Sequence, residues 1–188
     1  TPKATRLGDA APVRCFAPLR STRVVARDTW WMEFHSPEIA AISQPGQFIM
    51  LGLGLDRPGT WLLPRPFSVG WTGEDGAIGI LLRTYGEGTL ALSRLRCGEE
   101  ALLLGPLGRG FEIDDRSIEC VAGGVGLAPF IFLAAREAAA GRRVRLLYGE
   151  RDAGAVFDID TLGDLTGHEP EIFTEDGGAG RLGRVTAG

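Results

Sequence analysis

"SIECVAGGVGLAPFIFLAAREAAAGRRVRLLYGE", residues 117–150, decides how the chain is organised. An apolar run from Ile118 leads into Gly123 and Gly124. Phe130, Ile131, Ala134 and Ala138 then recur at helical spacing, Pro129 suits a first helical turn, and Gly141 suits a C-terminal cap. "RVRLLYGE" reads as a second strand. The pattern predicts one β-α-β crossover of a parallel sheet. Gly123, Gly124 and Gly126 fall at the strand-to-helix turn, where unpaired helix N–H groups can face a pyrophosphate. Pro129 stands where the G-x-G-x-x-G pattern has its third glycine, so by itself the turn reads equally well as a tight structural connection. An acidic residue able to bond a ribose hydroxyl is expected at the end of the second strand. Glu150 lies there, and Arg151 beside it leaves NAD and NADP both open.

Downstream, "DIDTLGDL" suggests a short helix and "EIFTED" a further strand before a glycine-rich stretch. A parallel sheet needs cover on both faces. Few elements remain to supply it, so this α/β domain is expected to be incomplete in the chain. Upstream, the texture is β. The runs "RVVARDTWWMEFHS", "GQFIMLGLG", "PFSVGWT", "GAIGILLRTYG" and "EEALLLGPLG" are punctuated by Gly, Pro and Asp at short intervals. They predict a compact antiparallel barrel or sandwich. Residues 1–12 read as a loose end. The expected division is a barrel domain over 1–115 and a partial α/β domain over 116–188.

Composition narrows the function. The 188 residues carry a net charge of −4, which argues against nucleic acid or an anionic membrane as the main partner. Of 20 basic residues only Lys3 is a lysine, and asparagine is absent; GC-rich coding accounts for both, so a single arginine is weak evidence of function. Cys15, Cys97 and Cys120 lie far apart, without disulfide or metal-type spacing. No run of about 18 apolar residues and no signal-peptide pattern is present. A soluble protein of the reducing cytoplasm is expected.

"LLPRPFSVG", residues 62–70, then raises a chemical question. Proline belongs at strand edges, starts or bulges, and an arginine in an apolar run is expensive to bury without an anion. Arg65 and Ser68 therefore suit a phosphate, which a guanidinium grips bidentately. In "LLRTYGEGT", Arg83 stands at a strand end, and Gly86, Gly88 and Thr89 form a plausible cradle for a second phosphate or a ring edge. Each alone reads as an exposed arginine or an ordinary turn. Before a nucleotide-type β-α-β unit they point together to a dinucleotide held between two domains.

In this order "RPFS", "LLRTYGEGT", "GPLGRGF" and "AGGVGLAPF" resemble the ferredoxin–NADP reductase superfamily. "TEDGGAGRLGRVT", residues 174–186, is most similar to a signature of the electron-transfer subunits of type B dihydroorotate dehydrogenases. The α subunit of a bifurcating NADPH:ferredoxin oxidoreductase carries a similar stretch. The resemblance implies an FAD-binding barrel and an NAD(P)-binding α/β domain. It assigns Arg65, Pro66, Phe67 and Ser68 to the flavin motif, with the arginine on the FAD pyrophosphate and the serine near the ring. Leu81, Leu82 and Arg83, then Gly88 and Thr89, become further FAD contacts. Gly123, Gly124, Val125 and Gly126 become the nicotinamide-nucleotide turn. It implies electron transfer between FAD and NAD for dihydroorotate oxidation in pyrimidine biosynthesis, with an FMN-containing catalytic subunit as partner. No side chain is required as general acid or base. Such subunits also hold a [2Fe–2S] cluster, whose four closely spaced cysteines are absent from this chain. A nucleotide-binding module without turnover is the alternative of another class. His35 and His168 lack partners at ligand spacing, and Trp30 with Trp31 suits one core and one surface residue.

Overall fold

The structure, a computed structural model, describes residues 11–53, 63–114 and 116–187. The expected loose end thus falls almost wholly outside the described residues, as does position 115, where the barrel was expected to finish.

Six strands close a barrel in the order β1-β2-β5-β4-β3-β6, every pairing antiparallel. They are β1 (Val13–Ala26), β2 (Thr29–His35), β3 (Phe48–Gly52), β4 (Arg65–Thr72), β5 (Ala77–Arg83) and β6 (Glu100–Leu107). The run read as one β stretch, "RVVARDTWWMEFHS", folds back on itself, and Asp28 at φ 54 makes the turn. Closure depends on the length of β1. Residues Val13 to Pro18 pair with β6, and Leu19 to Ala26 pair with β2. Period-2 alternation sends Leu19, Met32, Phe34, Ile49, Leu51, Ile78, Ile80, Leu82 and Leu103 inward. Two helices unforeseen in the sequence flank the barrel: α1 (Pro37–Ile42) and α2 (Glu87–Ser93).

The second layer is a parallel sheet in the order β10-β9-β8-β7. Its strands are β7 (Ile118–Gly123), β8 (Val144–Glu150), β9 (Glu171–Thr174) and β10 (Arg181–Leu182). Helix α3 (Ala128–Ala139) links β7 to β8, with a proline in its first turn and Gly141 at φ 74 just beyond it. Helix α4 (Ile159–Thr166) leads toward β9; the Asp158 carboxylate accepts from Thr161 N at 2.9 Å as its cap.

The two layers share apolar packing. Trp31 leaves the barrel on its outer side, and its indole covers Gly70 and Gly79; a Cβ on Gly79 would fall 2.3 Å from that ring. Trp31 meets Phe157 edge-on at 6.1 Å and packs, with Val25 and Leu81, among α/β residues such as Ile131 and Tyr148. Main-chain bonds reinforce the seam: Arg27 N to Gly154 O at 2.8 Å and Asp158 N to Val25 O at 2.7 Å.

Candidate functional site

A splayed ladder makes the first groove. β4 pairs with β3 from Arg65 to Ser68, but with β5 only from Val69 to Thr72. β5 keeps β2 as partner through Arg83, yet its pairing with β4 ends at Ile80. No ladder therefore joins 65–68 to 81–83. Pro66 sits on this open side, where its missing N–H breaks no β4–β5 bond. The gap is a groove of ≈ 310 Å³ lined by Arg65, Phe67, Ser68, Leu81, Arg83 and Tyr85, among others. Leu82 points the other way, into the barrel core, and offers no side chain here.

Arg65 lies over the first turn of α2. A Cβ on Gly88 would stand 2.1 Å from its Cζ, so only glycine lets the guanidinium rest there. Among the described residues its one hydrogen bond is to Leu63 O at 3.1 Å. Its charge has no carboxylate partner among them, and it borders a hollow of ≈ 400 Å³ with Tyr85, Gly86, Glu87, Gly88 and Thr89. A cradle that a Cβ would fill, edged by an unpaired guanidinium, fits a pyrophosphate. Thr89 borders this hollow and the first groove, and it also caps the helix. Its hydroxyl accepts from Tyr85 N at 2.9 Å and Gly86 N at 3.2 Å and donates to Gly86 O at 3.0 Å. The stretch expected as a turn is the capped start of a helix, and Thr89 serves that cap.

The glycine turn forms the second groove. Gly124 adopts φ +57 and opens a single 3-10 turn, Gly124–Leu127, ahead of α3. A Cβ on Gly123 or Gly126 would meet nothing within 4 Å, so the main chain is open to an approaching ligand. A cleft of ≈ 520 Å³ lies beside it, lined by Gly123, Gly124, Arg83, Tyr85, Glu150 and Arg184, among others. The bare turn fits a nucleotide diphosphate. Val125 faces the first groove instead. Arg83 and Tyr85 border both spaces, and Tyr85 is 76% exposed.

Between the grooves lies an ion pair that spacing could not show. Arg83 Nη2 donates to Glu150 Oε1 at 2.5 Å, Nε to Thr29 Oγ1 at 2.9 Å, and Nη2 also to Ala155 O at 3.3 Å. Tyr148 Oη donates to the same Glu150 Oε1 at 2.9 Å. The Glu150 side chain is only 6% exposed. Burial pulls the Arg83 guanidinium down, but the bond and charge of Glu150 outweigh it and leave the group raised. Burial first, then the Glu150 charge, push the Tyr148 phenol up. The carboxylate expected to face a ribose is thus bound to Arg83 and Tyr148, and the Arg83 guanidinium expected to face a flavin is bound to it.

The other candidates separate cleanly. Trp31 is core and Trp30 half-buried; His35 is exposed. The stretch 174–186 does structural work: Thr174 Oγ1 donates to Ala179 O at 2.8 Å and accepts from Ala179 N at 3.1 Å. Those bonds close the tight loop between parallel β9 and β10. Cys15 is half-buried beside Ser36, Cys97 exposed and Cys120 buried, each in a different place. Among the described residues no group of three or more His, Cys, Asp or Glu could hold a metal ion, so these residues do not fit a [2Fe–2S] cluster. No described helix is long and apolar enough to cross a membrane.

No family model matches the chain. The electron transfer subunit of dihydroorotate dehydrogenase B (NAD(+)) from Desulforamulus reducens is 33% identical over 172 residues, covering 90% of this chain and 64% of the relative. The subunit of the same name from Caldanaerobacter subterraneus is 34% identical over 172 residues, covering 91% and 64%. The chain spans less than two thirds of the length of these relatives. Among solved structures, an NADH-dependent reduced ferredoxin-NADP oxidoreductase, studied for flavin-based electron bifurcation, aligns with TM-score 0.77 at 26% identity. That alignment covers 91% of this chain and 60% of that one. Phthalate dioxygenase reductase aligns with TM-score 0.68 at 23% identity over 87% of this chain and 52% of its own, a likeness of fold. Over about nine tenths of its length the chain is related to these electron transfer subunits, and its fold is that of the ferredoxin reductase-like flavoproteins.

Proposed function

We propose that this chain is the FAD- and NAD-binding part of an electron-transfer oxidoreductase that serves dihydroorotate oxidation in pyrimidine biosynthesis, in the cytoplasm. The observation that carries the reading is the splayed ladder with its cation, which has no carboxylate partner among the described residues. Arg65 rests over Gly88 at one end of a groove whose other end opens beside the bare glycine turn. FAD, when bound, supplies the chemistry: it exchanges a hydride with a nicotinamide and passes electrons on singly.

The chain's own residues bind and orient. Arg65 holds the FAD pyrophosphate by charge-assisted bonds, with the Gly88 main chain behind it. Pro66, Phe67 and Ser68 on β4 and Leu81 on β5 wall the flavin ring, and Leu82 anchors β5 by filling the barrel core. Thr89 fixes the start of α2 against the groove. Gly123, Gly124 and Gly126 leave main-chain room for the nicotinamide dinucleotide, and Val125 and Ala128 border the flavin side. By kinship with subunits named for dihydroorotate dehydrogenase B, the partner is an FMN-containing catalytic subunit. The division into two domains near residue 115, after β6 and before β7, is part of the same proposal.

A second reading, the α subunit of a bifurcating NADPH:ferredoxin oxidoreductase, is favoured by the 0.77 TM-score to the ferredoxin-NADP oxidoreductase structure. One anaerobic titration tests both. The purified protein should be yellow with about one FAD per chain, and NADH should bleach it faster than NADPH. Preference for NADPH favours the second reading. A colourless chain that takes up no added FAD overturns both and leaves a module without turnover.

A further inference from the structure

The Arg83–Glu150 pair lies directly beneath the glycine turn. A Cβ on Gly124 would sit 3.5 Å from Arg83 Nη1 and 3.9 Å from Glu150 Oε1. The φ of +57, which favours glycine, sets this main chain beside the pair, and a Cβ there would make only ordinary contacts with it. Arg83 is also the last residue of β5, two positions after the Leu81 that walls the first groove. One guanidinium therefore touches the barrel through Thr29, the parallel sheet through Glu150, and the loop after β8 through Ala155 O.

The seam does not depend on this pair. Trp31, Phe157, Val25 and two main-chain bonds already join the layers. The pair instead fixes a local distance, that between the turn 123–126 and the end of β5. Tyr148 Oη completes the arrangement by bonding the Glu150 oxygen nearer the arginine. An ion pair with so little solvent exposure, 16% at Arg83 and 6% at Glu150, holds a narrower geometry than an exposed one.

We infer that Glu150 and Arg83 are positioning residues, which hold the nicotinamide-nucleotide turn in register with the flavin groove. The inference rests on the dinucleotide reading above. Hydride transfer needs the reacting atoms about 3–3.5 Å apart, and a misplacement of about 1 Å lowers the rate about 10²-fold. Binding through the turn's main chain tolerates such a shift far better. The pair accordingly governs the rate of transfer more than the affinity for either nucleotide. Glu150 does so without serving as the ribose acceptor: Oε1 takes bonds from Arg83 and Tyr148, and Oε2 takes one from Arg83 Nη1 at 3.4 Å.

Glu150→Gln is the test, with Arg83→Gln and the double variant beside it. Stopped-flow reduction of the FAD-loaded protein by NADH should show a limiting rate down about 10²-fold in Glu150→Gln, with half-saturating NADH changed less than about 3-fold and FAD content unchanged. The double variant should be no slower than the slower single variant, because both changes break one interaction. A nucleotide-free measurement stands apart from activity: amide hydrogen exchange across 122–128 should quicken in each variant while exchange in β5 holds. A higher half-saturating NADH at an unchanged limiting rate would make Glu150 a ribose ligand and overturn the inference. Unchanged exchange at the turn would overturn it too. If the wild type binds no FAD, the functional reading fails, and the exchange arm still decides whether the pair holds the turn.

Discussion

The guanidinium of Arg65 occupies the space where a side chain at Gly88 would be: the ideal Cβ lies 2.1 Å from Cζ and 2.2 Å from Nη2. A strand residue and a helix residue thus shape the cradle proposed for the pyrophosphate, and each can be altered separately.

Gly88→Ala should push Arg65 out of the cradle without harming the fold, since the clashing atoms belong to the movable end of a long side chain. Alanine in a helix gains up to about 1 kcal/mol over glycine. The expected result is an unchanged or higher melting temperature with FAD affinity down about 10-fold, read as FAD absorbance per chain after desalting. Full retention of flavin would show that the cradle is not the pyrophosphate site.

Arg65→Ala removes the cation itself. A charge-assisted bond contributes about 1.5–3 kcal/mol, roughly 10- to 100-fold in affinity. Flavin should be lost on desalting while far-ultraviolet circular dichroism is preserved. Arg65→Lys should recover part of the affinity, because a lysine keeps the charge but not the planar fork.

Gly180→Ala should be the most damaging glycine change in the β9–β10 loop. Gly180 has φ +63, and a Cβ there would fall 2.2 Å from Ile172 O, a strand carbonyl that cannot yield. A loss of about 2 kcal/mol or more is expected. Gly141→Ala is the control: φ is +74, but nothing lies within 4 Å of the added carbon, so about 1 kcal/mol is expected. Urea unfolding of the two variants gives the comparison.

Asp158→Ala should cost about 1 kcal/mol by removing the cap of α4. The bond to Thr161 holds the Asp158 carboxyl below its usual range. A carboxyl with a depressed folded pKa contributes stability above its unfolded pKa, about 3.9, and loses it as pH falls through the folded value. The gap between wild type and variant should therefore be constant from pH 7 down to about 5 and close below about 4. A gap that persists at pH 2 would show that the carboxylate is not what stabilises the helix.

The thiols should differ sharply in reactivity. Burial, and secondarily the Glu119 charge, push the Cys120 thiol up to about 11, whereas Cys97 is exposed. At pH 8 a thiol reagent should label Cys97 quickly and Cys120 only after denaturation. Mass spectrometry of the labelled peptides reads the outcome.

The sequence by itself determined the plan: a barrel, then a β-α-β crossover, with Pro129 and Gly141 at the ends of its helix. Those features follow from local rules, since periodicity, proline and glycine act within a few residues. The reading of Arg65 as a phosphate ligand comes from the same kind of local pattern, a cation set among prolines and apolar residues. The two short helices were not, because α1 and α2 have too few residues to show a period. The fate of Glu150 was not legible either. Its place at a strand end predicts a ribose ligand, and only folding brings Arg83 across 67 positions of chain to within 2.5 Å of it. The capping bonds of Thr89 were likewise hidden until the helix that it starts was visible. Spacing along a chain specifies which groups share an element. Which groups share a bond is decided where elements meet, here at the seam between barrel and sheet, where burial compels every charge to find a partner.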